Sequence, residues 1–120
     1  MKIDLISSGS GGASLPYTSR VSLLTQTGTS VPTEILLENG AGISLTWTRL
    51  SAGMYKATYG SAVDLSKIAL RIGNAYQYSE MIGVIINSTT TQFQLAIEGD
   101  NLGGVDDSLE NTMLEIRVYS

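Results

Sequence analysis

The segment LTWTRLSAGMYKATY (Leu45–Tyr59) predicts a β-hairpin, and it holds the only tryptophan of the chain. Two alternating runs flank Ser51-Ala52-Gly53, and a three-residue loop with glycine in the last, left-handed position is a common hairpin connection. The residues that would face each other are Leu50 and Met54, Arg49 and Tyr55, Trp47 and Ala57, and Leu45 and Tyr59. One face of the hairpin then collects its aromatic residues, with Trp47 in the core and Arg49 beside a tyrosine ring.

A two-residue loop on Ala52-Gly53 is the alternative connection. It would place Arg49 opposite Lys56 and divide the aromatic residues between two faces, so the three-residue loop is preferred. The hairpin indicates how the chain packs, but it contains no catalytic chemistry.

The composition is poor in charge. Charged residues make up 15% of the 120 residues and apolar residues 42%, against about 25% charged in typical domains. Such a surface must be completed with Ser, Thr, Asn and Gly, as is typical of extracellular or particle-bound β-proteins and of surfaces covered by copies of themselves. The net charge of −4 and the scattering of the seven basic residues argue against nucleic-acid binding.

The chain has neither cysteine nor histidine. Disulfides, thiolate metal sites and the Ser-His-Asp and Cys-His nucleophilic mechanisms are therefore excluded. No apolar run approaches the ~18 residues of a membrane span, and the N-terminal apolar run is too short for a secretory signal. A pair of carboxylates could serve a glycosidase, and the candidates are Asp64, Glu80, Glu98 and Asp100. A sandwich of this size, however, suggests no deep cleft for a substrate. We expect no enzyme, no cofactor and no membrane insertion.

Turn signals separate about eight short apolar segments, and no convincing amphipathic helix is present. The expected strands are Tyr17–Gln26, Thr33–Glu38, Ser44–Leu50, Met54–Tyr59, Lys67–Ile72, Glu80–Asn87, Gln92–Glu98 and Met113–Tyr119. EMIGVIIN (Glu80–Asn87) is nearly all apolar, so we place it centrally in a sheet, buried on both faces. One helical turn is expected at Asp64–Ser66. The pattern predicts an all-β fold, an antiparallel β-sandwich of Ig-like or jelly-roll type, over residues 15–120.

Residues 1–14 are expected to form a flexible arm. Lys2–Ile6 alternates polar and apolar residues, and the Gly/Ser segment Ser7–Ser14 follows it. A mobile tail or a cloning remnant would explain this pattern. The functional alternative is that Ile3 and Leu5 belong to a strand that adds to a neighbouring subunit or a carrier protein.

Two loops contain candidate ligand residues. The acidic loop Gly99–Glu110 carries Asp100, Asn101, Asp106 and Asp107, which are oxygen ligands of the kind Ca²⁺ prefers, although their spacing is not that of an EF-hand. A solvated turn explains the same composition, and the loop is also a candidate partner contact.

The second loop is GNAYQYSE (Gly73–Glu80), in which Tyr76 and Tyr78 flank the amide side chain of Gln77. Exposed aromatic rings beside amides are typical of sugar-binding sites and protein interfaces, but ordinary half-buried tyrosines explain the pattern equally well.

Three segments carry a resemblance to a known family: PTEILLEN (Pro32–Asn39), WTRLSAGMYKATY (Trp47–Tyr59) and MLEIRVYS (Met113–Ser120). In this order and spacing they resemble a small β-module of tailed-bacteriophage virion proteins and related prophage reading frames. The pattern there is L-E-N, then W-x-R-x-x-x-G-x-Y, then a closing E-I-R-V-Y strand. The resemblance covers roughly residues 31–120.

The resemblance implies a small β-sandwich on the surface of a virion, as a head-decoration, fibre or tail component. Such modules are usually oligomeric and often trimeric, and their partner would be the major capsid protein or another virion protein. The resemblance supplies no catalytic residues. A carbohydrate- or receptor-binding module of a tail fibre or bacterial surface protein is the alternative, with a cell-surface glycan as its partner.

Overall fold

The computed structural model describes residues 15–73, 82–98, 106–107 and 109–120, and there the protein is all-β. The eight strands are β1 (Tyr17–Thr25), β2 (Thr33–Asn39), β3 (Leu45–Ser51), β4 (Met54–Tyr59), β5 (Ile68–Ile72), β6 (Ile82–Ile86), β7 (Gln92–Glu98) and β8 (Thr112–Tyr119). The expected helical turn is present as a short 3-10 helix, Leu65–Lys67, which Asp64 caps by accepting a hydrogen bond from the Ser66 amide.

The strands form two four-stranded antiparallel sheets. The first sheet has the order β2-β1-β8-β5 and the second β3-β4-β7-β6. Each sheet thus has two edge strands, β2 and β5 in the first and β3 and β6 in the second. The predicted β-sandwich is confirmed.

The central hairpin pairs as predicted along most of its length. Leu45 faces Tyr59, Trp47 faces Ala57 and Arg49 faces Tyr55. Gly53 takes the left-handed conformation, with φ of 69°, which glycine adopts without steric cost. The predicted Leu50–Met54 pair is wrong, because Ser51 faces Met54 and the register shifts between Arg49 and Ser51. The β-bulge at this point lets a tight Ala52-Gly53 turn keep the aromatic residues on one face.

The core lies between the inner faces of both sheets. Phe93 is central: the Trp47 ring meets it edge-on with centroids 5.9 Å apart, and the Tyr59 ring lies 5.7 Å away. The alternation of β7 and β8 predicts that Phe93, Leu95, Ile97, Leu114, Ile116 and Val118 face inward; the first five are fully buried and Val118 is half-buried. The alternation of these strands is what places one side of each against the core.

The prediction that Glu80–Asn87 is a central strand is wrong. Its described part is β6, which pairs only with β7 and lies at the edge of the second sheet. Its residues 83–86 are half-buried rather than buried on both faces. Gly83 allows β5 to approach closely from the other sheet, because a Cβ there would lie 3.1 Å from Cγ1 of Ile72.

The described ranges contain no helix that could cross a bilayer.

Candidate interaction surface

The most exposed strand is β2, and its exposed residues are apolar. Six of its seven residues are exposed. Ile35, Leu36 and Leu37 leave 57%, 49% and 59% of their surfaces accessible. Among the described residues β2 pairs only with β1, so no described strand bonds to the backbone N–H and C=O groups on its other side, beside these side chains. An edge with both features is suited to accept a further strand.

The apolar surface continues from the edge onto the outer face of the first sheet. Leu23 on β1 faces Ile35 on one side and Met113 of β8 on the other. Leu23 is half-buried and Met113 is 39% exposed. We call Ile35, Leu36, Leu37, Leu23 and Met113 together the β2 surface.

A buried ion pair holds β2 from its inner side. Arg20 Nη1 donates to Glu34 Oε2 at 2.6 Å and Nη2 donates to Oε1 at 3.0 Å. Ser22 Oγ donates to the same carboxylate at 2.6 Å, and Arg20 Nε donates to the Ile43 carbonyl at 2.9 Å. The two charged side chains are only 5% and 12% exposed. β2 is therefore attached by hydrogen bonds and charge while its hydrophobic residues point to solvent.

The Glu34 carboxylate is ionised by this arrangement. Burial alone raises its pKa, but the hydrogen bonds from Arg20 and Ser22 outweigh burial, and the pKa lies below its ordinary value. The nearby indole N–H of Trp47 also favours the carboxylate, although its geometry falls short of a hydrogen bond.

The outer face of the first sheet also carries an aromatic and ionic cluster at the end where β1 begins. The rings of Tyr17 and Tyr119 lie 5.2 Å apart, and the Arg117 guanidinium lies 4.4 Å from the Tyr17 ring centroid. Arg117 Nε donates to Glu115 at 3.0 Å. Tyr119 is 37% exposed, so one ring of the cluster is open to a ligand.

Asp106, a Ca²⁺ candidate, is engaged by the central hairpin. Its carboxylate accepts hydrogen bonds from Arg49 Nη2 at 2.6 Å, from Tyr55 Oη at 2.9 Å and from the Gly53 amide at 3.2 Å. The bond from Arg49 is the main reason that the pKa of Asp106 is lowered. Burial, followed by the bond to Asp106, raises the pKa of Tyr55. One of these donors is the Arg49 cation, and its positive charge opposes the binding of a second cation by the same carboxylate.

The rest of the described acidic loop closes the same end of the sandwich. Leu109 is 2% exposed in the core, and its carbonyl accepts from the Gln26 amide at 3.1 Å. Asp107 accepts from the Gly28 amide at 2.5 Å and its own amide donates to Gln26 Oε1 at 2.9 Å. The solvated turn expected from the sequence is wrong for Leu109 and Asp106, because the loop is fixed to the hairpin and to the β1–β2 turn.

Among the described residues, no three acidic side chains gather where they could hold a metal ion. Of the residues proposed as ligands or contacts, Asp106 and Asp107 are described, and both make the structural contacts given above. Ile3, Leu5, Tyr76, Tyr78, Asp100 and Asn101 lie outside the described residues, so their roles stay predictions.

The β2 surface is not among the sites predicted from the sequence. Its signal is present in TEILLE: three consecutive apolar residues cannot all face the core of a half-buried strand, since successive side chains point to opposite faces. Tyr17 and Tyr119 were likewise not singled out, because only the pairing of β1 with β8 brings them together.

At the opposite end of the sandwich from Asp106, a cleft of about 330 Å³ is lined by residues 41–44 and 60–64 with Ile68 and Val118. Its lining is mostly small residues. The single ionisable group there, Asp64, is occupied by the amide and hydroxyl of Ser66. These contacts cap the 3-10 helix and leave the cleft without a charged group free to bind a ligand.

The chain matches no family model, and no curated protein or solved structure is detectably similar to it.

Proposed function

We propose that this protein is a non-enzymatic structural component of a bacteriophage virion, a decoration or auxiliary protein on the capsid surface. It acts by self-association and multivalent binding to the particle. The observation that carries the proposal is the β2 surface, an apolar sheet edge on an otherwise charge-poor sandwich. Monomeric proteins normally protect such edges with charge or cover, so a permanent neighbour is the simplest explanation.

The resemblance to phage virion modules supports the same proposal. Its first segment contains β2, its second forms the central hairpin and its third forms β8. These segments build the framework of the sandwich, and the first of them supplies the exposed edge. Multivalent docking suits such a protein, because several weak contacts made by one oligomer raise its effective affinity for a repetitive surface.

Co-sedimentation tests the proposed function. Purified protein is mixed with particles of the presumed phage that lack it, and the pellet is compared with that of protein alone. Stoichiometric binding that saturates at a fixed number of copies per particle is the expected result. Folded protein that stays in the supernatant at all ratios would overturn the proposal.

Carbohydrate binding is the second candidate function, and the Tyr17–Tyr119 cluster is the observation that favours it. An exposed tyrosine ring beside an arginine can stack on a sugar ring and donate hydrogen bonds to its hydroxyls. Binding on a glycan array that Tyr119→Ala abolishes, and that the buried-face variant Tyr59→Phe retains, would support this function. An array without signal from folded wild-type protein counts against it.

A further inference from the structure

We propose that the β2 edge binds the N-terminal segment Lys2–Ile6 of a second copy of this chain, so that copies are joined by exchanged strands. This inference deepens the proposed function by naming the partner of the β2 surface. It rests on the exposure and charge of β2, on the pattern of residues 1–14, and on the length of chain that precedes β1.

β2 is the edge that most needs a partner. The other edge strands carry fewer exposed apolar residues: β3 alternates exposed threonines with the buried Trp47, and the described side chains of β5 and β6 are mostly half-buried. Residues Thr33–Leu36 pair regularly with β1, and the register shift follows at Leu37. A short donor strand is therefore sufficient, since the regular part of the edge is itself short.

The charges of β2 disfavour pairing with another β2. The strand carries Glu34 and Glu38 and no basic residue. Antiparallel pairing of two β2 strands about Leu36 would place Glu34 of one copy opposite Glu38 of the other, and like charges directly opposite destabilise a sheet. A donor strand should instead combine alternating apolar residues with no net negative charge.

Lys2–Ile6 has this composition. Ile3 and Leu5 share one face of an extended segment, and Lys2 and Asp4 on the other face leave the segment without net charge. The same segment contributes backbone groups to the unpaired edge whatever its exact register, so main-chain hydrogen bonds give affinity and the two apolar side chains give specificity.

The connection is long enough to reach a second copy. Ser7–Ser14 is rich in glycine and serine, and eight extended residues reach about 26 Å. β1 begins at Tyr17, at the end of the first sheet where β2 finishes. The arm can therefore leave its own sandwich and reach the β2 edge of a neighbour.

Exchange of this kind joins two copies reciprocally or several copies head to tail, because each copy donates one segment and accepts another. Head-to-tail contacts close into rings when the rotation between copies permits. A ring of three would be the trimer expected from the resemblance.

Complementation between two full-length variants tests the inference. The donor variant Ile3→Glu with Leu5→Glu keeps the β2 edge, and the acceptor variant Ile35→Lys with Leu37→Lys keeps the arm. Light scattering after size exclusion should give a multiple of the 12.7 kDa chain mass for the wild type and a single chain for each variant alone. A mixture of the two should form a 1:1 complex, because one intact arm meets one intact edge.

Two matched controls should retain the wild-type mass. Ser8→Glu with Ser10→Glu adds the same charge to the linker, and Leu50→Lys places a lysine at an exposed leucine of the β3 edge. A monomeric wild type, an oligomeric donor variant or failure of the folded variants to combine overturns the inference. Its failure is distinct from that of the proposed function: a monomer that still co-sediments refutes only the strand exchange, and an oligomer that ignores particles refutes only the virion role.

Discussion

Removal of the Glu34 carboxylate should destabilise the whole domain, because it leaves Arg20 charged and buried. Arg20 is 4% exposed, and its guanidinium makes two hydrogen bonds to Glu34. Loss of one partner of a buried ion pair costs about 3–5 kcal/mol. Since Glu34 keeps 12% of its side-chain surface accessible, we expect about 3 kcal/mol for Glu34→Ala. For a chain of this size that corresponds to a fall in Tm of about 12 °C.

Urea unfolding followed by the fluorescence of Trp47 measures this loss. The indole is buried beside the ion pair, so its emission reports on the affected region. Glu38→Ala is the matched control, because Glu38 lies on the same strand, is exposed, and accepts one hydrogen bond from Ser19; it should cost under about 1 kcal/mol. A Glu34 variant as stable as the Glu38 variant would show that the pair does not anchor β2.

A double variant separates lost charge from lost packing. Arg20→Met with Glu34→Leu removes both charges and keeps similar volume, and such replacements are often neutral or stabilising. We expect it to recover most of the stability that Glu34→Ala loses. Stability no better than that of the single variant would refute the argument that the unpaired Arg20 charge causes the loss.

The Arg20–Glu34 ion pair also predicts how the free energy of unfolding depends on pH. Because the pKa of Glu34 is lower in the folded protein than in the unfolded chain, its contribution is complete above the unfolded pKa and is lost as pH falls through the folded pKa. The difference in unfolding free energy between wild type and Glu34→Ala should therefore shrink between pH 6 and pH 3 (roughly the carboxylate range). A difference that stays constant over this range contradicts the linkage.

Three further changes test the hairpin and the core. Asp106→Ala should cost about 1–3 kcal/mol in urea unfolding, because the buried Tyr55 hydroxyl loses its acceptor; Asp107→Ala is the control, and equal effects would refute a special role for Asp106. Gly53→Ala should cost about 1–2 kcal/mol of unfolding free energy, because φ at this residue is 69°. Gly40→Ala is the control and should cost less, since a Cβ added there meets no atom closer than 3.9 Å. Equal losses would refute the explanation by backbone conformation. Tyr59→Phe should leave stability unchanged or raise it, because the buried hydroxyl has no hydrogen-bond partner. In alkaline titration at 295 nm, burial should keep Tyr59 protonated until its pKa of about 12, and ionisation near 10 would mean that the ring is accessible.

The sequence was informative wherever short-range alternation decides which side of a strand is buried. In Gln92–Glu98 and Met113–Tyr119, apolar residues alternate with polar ones, and the structure buries the predicted faces. The register of the central hairpin followed from the same reasoning, with the bulge at Leu50 as its one error. Such predictions succeed because the two-residue period of a strand is a local property of the chain.

The candidate site was less predictable. The apolar run Met81–Ile86 suggested a strand with neighbours on both sides, but β6 lies at an edge. The apolar run of β2 exceeds what one face of a half-buried strand can hold, but the strand order is needed to show that β2 is an edge. Both runs are apolar, and they differ in their neighbours: Ile72 of the opposite sheet packs on Gly83, whereas Glu34 meets Arg20 of the adjacent strand β1.

The amino-acid sequence by itself determined that this protein is an antiparallel β-sandwich without cysteine or histidine chemistry, since composition and alternation are properties of the chain alone. Only the tertiary structure decided which strands became edges, and it paired Arg20 with Glu34 and Asp106 with Arg49. Strand order and ion pairing depend on residues far apart in sequence that meet after folding. For this reason the strand order, and not its local sequence, decided that the apolar side chains of β2 are exposed at an edge.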